Sequence, residues 1–246
     1  MSGHSHFATI KRKKEVEDQK RGKTFSKLAR IISIVAKEGS DPDMNPKLRQ
    51  ALDEAKKFNM PKDNIERAIK KGTGELGGET LEEVLYEALG PGGISVILEG
   101  ITDNKNRTLL DVKQILQKNN CKLADEGSVK WAFEHKGIAL IVLQEQTHGK
   151  SKDDIEMAAI DAGAEDVRVY QEPEGDVIEV VTSIESLEKT KETLEKQGIK
   201  IESSTLGWLA KEEMDVSQQD KEKCEKLFEE LDDNDAIQEI YSNLKT

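Results

Sequence analysis

The chain has little of what builds large cores or carries redox chemistry. Its two cysteines, Cys121 and Cys224, stand far apart in 246 residues with no C-x-x-C partner. That excludes a disulfide framework and reads as a pair of reduced thiols in a cytoplasmic protein. Aromatic residues make up 4% of the chain and hydrophobic residues 35%, against 35% charged, which describes a wet, helix-rich chain with small cores rather than one large enzyme core. No stretch approaches 18 consecutive apolar residues, so no membrane-spanning helix is expected. The basic opening lacks an apolar run and does not read as a secretory signal.

What is abundant is charge, and it is unevenly placed. The formal net charge is −12, yet residues 1–78 hold 18 Lys or Arg against 11 Asp or Glu, while residues 79–246 hold 19 against 38. Within "GHSHFATIKRKKEVEDQKRGKTFSKLARIISIVAK", residues 3–37, ten basic residues face three acids. This asymmetry describes a polyanion-binding end on a body that repels polyanions.

Residues 1–22 show little apolar periodicity and read as a loosely packed arm. From about Lys23, Phe25, Leu28, Ala29, Ile32, Val35 and Ala36 recur at helical spacing. Lys23, Lys27, Arg30 and Lys37 share the opposite face, which predicts an exposed basic stripe whose charge folding does not need. Gly39 ends this helix. Asn45 and Pro46 mark the cap and first position of a second helix carrying Leu48, Ala51, Leu52 and Ala55 inward. A third runs from about Pro61 to Lys71 with Ile65, Ala68 and Ile69 inward, stopped by Gly72. "GTGELGGE" then reads as a linker. It matches G-x-G-x-x-G, but a helix precedes it and a strand-like run follows, the reverse of a dinucleotide-binding context.

Beyond the linker, strands and helices alternate. "LEEVLYEAL" and "ISVILEGIT" form a hairpin, "NKNRTLLDVKQILQKN" a helix and "SVKWAFEH" a further strand. Residues 136–207 then read as βαββαβ, the ferredoxin-like unit. The remaining helix and strand need a sheet to join, and the first sheet lacks a closing αβ. The expected organisation is therefore a basic arm and three-helix domain at 1–78, a discontinuous α/β domain at 79–135 plus 208–246, and an inserted domain at 136–207. A linear order of domains is the alternative. The fold class is α+β, with a small helical domain and two ferredoxin-like α/β sandwiches.

Motifs for catalysis are weak. "LQEQTHGKS" places Gly149, Lys150 and Ser151 as a phosphate loop would, but Gln144 stands where the first Gly is required. His4, His6, His135 and His148 form no cluster at metal-ligand spacing. Ser2-Gly3-His4 could present a square-planar set to Cu(II) or Ni(II) only after loss of Met1, as many exposed termini could. No Ser or Cys is placed beside a His base. No cofactor and no metal are expected. Phosphate contact is better supported, because Lys and Arg release counterions from nucleic acid without reading bases. The candidate residues are Lys11, Arg12, Lys13, Lys14, Lys20 and Arg21 in the arm, Lys23, Lys27, Arg30 and Lys37 on the stripe, and Arg107 at a helix start in "DNKNRT". There, Asp103 or Asn104 can equally serve as a plain cap. Phe7 is the only aromatic before Phe25, too few for base stacking in the arm.

Taken together, "MSGHSHFATIKRKKEVEDQKRGKTFSKLAR", "DPDMNPKLRQALDEAKKFNMPKDNIERAIKKG", "YEALGPGG", "DNKNRT", "GSVKWAF" and "AGAEDV" resemble the YebC/PmpR family along nearly the whole chain. That family includes mitochondrial translational activators of cytochrome oxidase. His6 and Phe7 stand where Lys and Trp are common in it, and "TGELGG" falls in a variable stretch. The resemblance implies three domains with the third inserted in the second, and no catalytic activity. It also implies one of two roles: a cytoplasmic DNA-binding transcriptional regulator, or a ribosome-associated translation factor that binds rRNA and helps difficult peptide bonds form. The expected partner is nucleic acid, DNA or rRNA, held through the basic N-terminal domain, with the ribosome as a further candidate and no membrane. A metabolic enzyme is the third class of reading, and no site supports it.

Overall fold

The computed structural model describes residues 18–78, 80–146, 149–171 and 175–245, apart from the side chains of 18–21. These residues form two compact units, one of 18–130 with Val216–Ser242 and one of Trp131–Asp215 with 243–245. The fold is α+β, with seven helices and two four-stranded antiparallel sheets among the described residues.

The first unit opens with α1 (Asp18–Ala36), α2 (Pro46–Lys57) and α3 (Lys62–Gly72). Leu28, Ile32 and Ala36, spaced by one turn each, meet Leu48, Ala51 and Ala55 of α2 and Ala68 of α3. Burying each large aliphatic side chain here contributes about 2 kcal/mol. Asn45 turns the chain between α1 and α2: its side-chain oxygen accepts from the Leu48 N–H at 3.0 Å, and its amide donates to the Val35 and Gly39 carbonyls. The helix begins five residues earlier than the periodicity predicts, because 18–22 are polar and announce no apolar face.

Where α3 crosses α1, the Ser33 hydroxyl donates to the Ala68 carbonyl at 2.7 Å. A side chain at Gly72 would overlap the Ser33 carbonyl and crowd the Ala36 methyl. Gly72→Ala should therefore push α1 and α3 apart and destabilise this unit by about 2 kcal/mol. Urea unfolding followed by circular dichroism checks this, and an unchanged midpoint would mean the helices close without that contact.

The hairpin β1 (Glu82–Leu89) and β2 (Ser95–Thr102) follows, turning through Gly92 and Gly93, both with positive φ. Then come α4 (Lys105–Lys118) and a two-residue strand β3 (Lys122–Leu123) beside β1. The stretch "SVKWAFEH" is not a strand of this sheet, contrary to expectation. Its first residues are held as a loop by Glu87, a buried carboxylate of β1 that accepts the N–H groups of Gly127 (2.6 Å), Val129 (2.7 Å) and Lys130 (2.9 Å). Burial pushes its pKa up, but the three donors outweigh that and hold it below the ordinary glutamate value.

The second unit begins with β4 (Phe133–Val142), followed by α5 (Lys152–Asp161), β5 (Asp166–Tyr170), β6 (Val177–Thr182), α6 (Leu187–Lys196) and β7 (Ser203–Ala210). The strand order β5-β6-β4-β7 is the ferredoxin-like arrangement. Ala139, Ile141, Ile178 and Val180 on one sheet face pack under Ile155 and Ala159 of α5 and Leu187 and Leu194 of α6. The outer limits of this sheet lie beyond 136 and 207, since β4 starts at Phe133 and pairs with Ala210. The chain then returns to the first unit as α7 (Gln218–Asp232) and β8 (Ile237–Ser242), which pairs with β2. The first sheet thus has the order β3-β1-β2-β8.

Candidate nucleic-acid interface

Of the residues expected to meet phosphate, Lys11, Arg12, Lys13 and Lys14 lie outside the described residues. Lys20 and Arg21 lie on α1 with side chains outside that set. The four stripe cations, three on α1 and Lys37 just past its end, are placed differently from the exposed stripe that helical spacing predicts. Lys23 Nζ meets Asp233 Oδ1 at 2.8 Å, and Lys27 Nζ meets Asp232 Oδ1 at 2.9 Å. Arg30 donates from Nη1 to the Ile101 carbonyl at 3.1 Å, and Lys37 donates to the Leu81 carbonyl. The Lys27 side chain is only 17% exposed. Lys23 and Lys37 keep solvent access, but their charges too are directed at the first sheet's surroundings.

The physical reason is electrostatic. Asp232 and Asp233 are the last residue and C-cap of α7, where the helix dipole adds negative potential to two carboxylates. The carbonyls of Leu81, just before β1, and of Ile101 on β2 are further acceptors. The stripe thus faces the first sheet and the end of α7, with Lys27 and Arg30 half-buried there, where the spacing predicts a fully exposed face. One signal in the sequence marked this: Ile34 lies within the basic face, between Lys23 and Lys27 in helical projection.

Arg107 is exposed and paired with Asp103 at 2.5 Å. The rest of "DNKNRT" builds the turn into α4. Asn104 is its N-cap, accepting the Arg107 N–H at 3.0 Å, and its own N–H donates to the Thr102 hydroxyl, which bonds the Thr108 hydroxyl in the core. The segment around Lys150 likewise caps a helix. Ser151 Oγ accepts the Asp154 N–H at 3.2 Å and the Asp154 carboxylate accepts the Ser151 N–H at 2.9 Å, a capping box that opens α5.

Cations that face outward without such partners lie elsewhere. Arg67, Lys70 and Lys71 on α3 are exposed and have no ion-pair partner among the described residues, as have Arg49 on α2 and Lys62 at the start of α3. Ile65, Ala68, Ile69 and Gly72 turn the opposite side of α3 inward, so the last two turns present Arg67, Lys70 and Lys71 together. Nothing in the sequence singles these residues out, because cations in a last helical turn also complement the helix dipole.

Both thiols are buried, and burial pushes that of Cys224 up to about 11, so neither is poised as a nucleophile. Among the described residues no helix is long and apolar enough to cross a membrane.

Comparison with known proteins fits this geometry. Residues 5–75 match the TACO1/YebC protein N-terminal domain, and residues 81–244 match the TACO1/YebC second and third domain. The chain belongs to the TACO1/YebC family. The break between the two matches falls at the glycine-rich connection after α3. Relatives include a "probable transcriptional regulatory protein" of Caldanaerobacter subterraneus subsp. tengcongensis, 44% identical over all of this chain and 98% of its own. A protein of the same description from Fervidobacterium nodosum is 46% identical over 99% of this chain and 93% of its own. The crystal structure of a conserved hypothetical protein from Aquifex aeolicus superposes with a TM-score of 0.83 at 39% identity, covering 93% of this chain and 91% of that one.

Proposed function

We propose that this TACO1/YebC member is a non-enzymatic regulator of gene expression that binds nucleic acid through phosphate contacts of its helical segment. The observation that carries the reading is the outward cluster Arg67, Lys70 and Lys71 on α3, three cations without ion-pair partners among the described residues, on a protein of net charge −12. The remainder of the chain carries the acidic excess, so the electrostatic attraction of a polyanion is directed to this end. The description of the bacterial relatives as probable transcriptional regulatory proteins favours a transcriptional regulator, for which DNA is the polyanion we propose. The phosphate-directed chemistry supports a second reading, a ribosome-associated translation factor, because phosphate contacts position a protein without specifying sequence. The sheet of the second unit does not resemble an RNA-recognition sheet: the face away from its helices carries Lys136, Ile138, Glu179 and Val181 on the two central strands, with no aromatic among them.

The test is the triple variant Arg67→Glu, Lys70→Glu, Lys71→Glu, assayed against labelled duplex DNA and purified ribosomes. Affinity should fall by more than about 100-fold, and each single Ala variant should reduce the salt slope of log K by about 1. The loss should be uniform across duplex sequences. A triple variant that binds both targets like the wild type would refute the reading. Loss confined to ribosomes, with weak duplex binding throughout, would select the translation factor.

A further inference from the structure

Aromatic side chains are scarce here, and the cores absorb several of them: Phe133, Phe228 and Tyr241 are buried. The only two tryptophans of the chain are treated otherwise. Trp131 is 70% exposed, in the short turn that leads into β4. Trp208 stacks on His135, with ring centroids 4.6 Å apart and planes 22° from parallel. That pair is cross-strand, His135 on β4 opposite Trp208 on β7, and β7 is the outermost strand of its sheet.

The register places the His135–Trp208 pair, both half-buried, at the end of the helix layer. His135 and Trp208 lie on the same sheet face as the next pair, Gly137 and Leu206. A side chain at Gly137 would run into the Leu187 Cβ and the Ser183 carbonyl at the start of α6. Helix cover therefore reaches Gly137, and His135–Trp208 is the next pair beyond it. Leu206, 41% exposed, continues the same surface.

We propose that Trp131, His135 and Trp208 form a stacking platform for unpaired bases of single-stranded nucleic acid. The proposal rests on the nucleic-acid reading above and adds a contact of different chemistry in the other unit. Flat ring faces match unpaired bases, which are not already stacked on one another as in a duplex. Lys211 is exposed, and its backbone N–H donates to the Ala132 carbonyl at 2.9 Å, which sets a cation beside the Trp131 turn. That charge suits a phosphate and opposes a cationic ligand. Glu212 and Glu213 follow it, so the platform works by stacking rather than as a charged groove.

The two tryptophans make the test direct, because all indole emission of the full-length protein comes from Trp131 and Trp208. Titration with a 15-nucleotide oligo(U) or oligo(dT) should quench that emission. The single-reporter variants Trp131→Phe and Trp208→Phe should each retain part of the change. Trp131→Ala, with its circular dichroism and urea midpoint compared with the wild type, should weaken oligonucleotide binding about tenfold while affinity for a labelled duplex stays as in the wild type. If fluorescence anisotropy shows the oligonucleotide bound with indole emission unchanged, or if Trp131→Ala and Trp208→Phe bind it like the wild type, the platform is overturned. Duplex binding that persists in that case leaves the α3 reading standing. Failure of both single strand and duplex to bind overturns the two together.

Discussion

Glu87→Ala should lower the stability of the first unit by about 3 kcal/mol. The carboxylate is 2% exposed and is the acceptor for three backbone N–H groups, of which the Val129 N–H belongs to a buried residue. Removing it leaves that donor without its partner and leaves those of Gly127 and Lys130 to find water. Hydrogen exchange should show residues 127–130 losing protection before the rest of the unit. Glu87→Gln should cost less. Its oxygen can keep the Val129 and Lys130 donors, but its amide group then meets the Gly127 N–H donor to donor. The same geometry fixes a pH dependence. Because the folded-state pKa is lowered, the contribution of the ionised group is complete above the ordinary glutamate range of about 4.3 and is lost as pH falls through the lower folded value. Wild type should thus lose this increment only in acid, and the difference between wild type and Glu87→Gln should shrink there. Equal urea midpoints for wild type and Glu87→Ala at neutral pH would show that the loop finds other acceptors.

The second large effect concerns the face of α1. The double variant Lys27→Glu, Arg30→Glu should undock the helical segment from the first sheet. It places a carboxylate opposite Asp232 and Asp233, and it removes the donor to the Ile101 carbonyl. Breaking a partly buried pair and a charged hydrogen bond together costs about 3 kcal/mol. Lys23, whose ion pair is solvent-exposed, should contribute under about 1 kcal/mol. The measurements are urea unfolding and the rate of proteolysis at the glycine-rich connection around Gly77, which should rise. Asp232→Lys added to Lys27→Glu should restore much of the lost stability, because the pair is then reversed rather than broken. A double variant with wild-type stability that loses only nucleic-acid affinity would return the stripe to the role its helical spacing first implied.

Much of the fold could be read from residue patterns. The apolar spacing of Leu28, Ile32 and Ala36, the Asn45–Pro46 cap and the βαββαβ order of the second unit are local signals, each decided within a few residues. Apolar periodicity reports which side of a helix is buried whatever buries it. The short strand Lys122–Leu123 and the loop after it were not legible, because their positions depend on β1 and on the Glu87 carboxylate some forty residues away.

The candidate interface divides along the same line. Composition and charge order alone determined that the positive excess lies in the first 78 residues and that phosphate is the chemistry it suits. Which cations remain available was decided only by tertiary structure. A lysine on a polar helix face looks the same in sequence whether it meets solvent or an acidic helix terminus 200 residues away, as Lys27 meets Asp232. Helical periodicity carries no information about a partner of opposite charge. The same holds for His135 and Trp208, which are 73 positions apart in the chain and stack only because β7 pairs with β4.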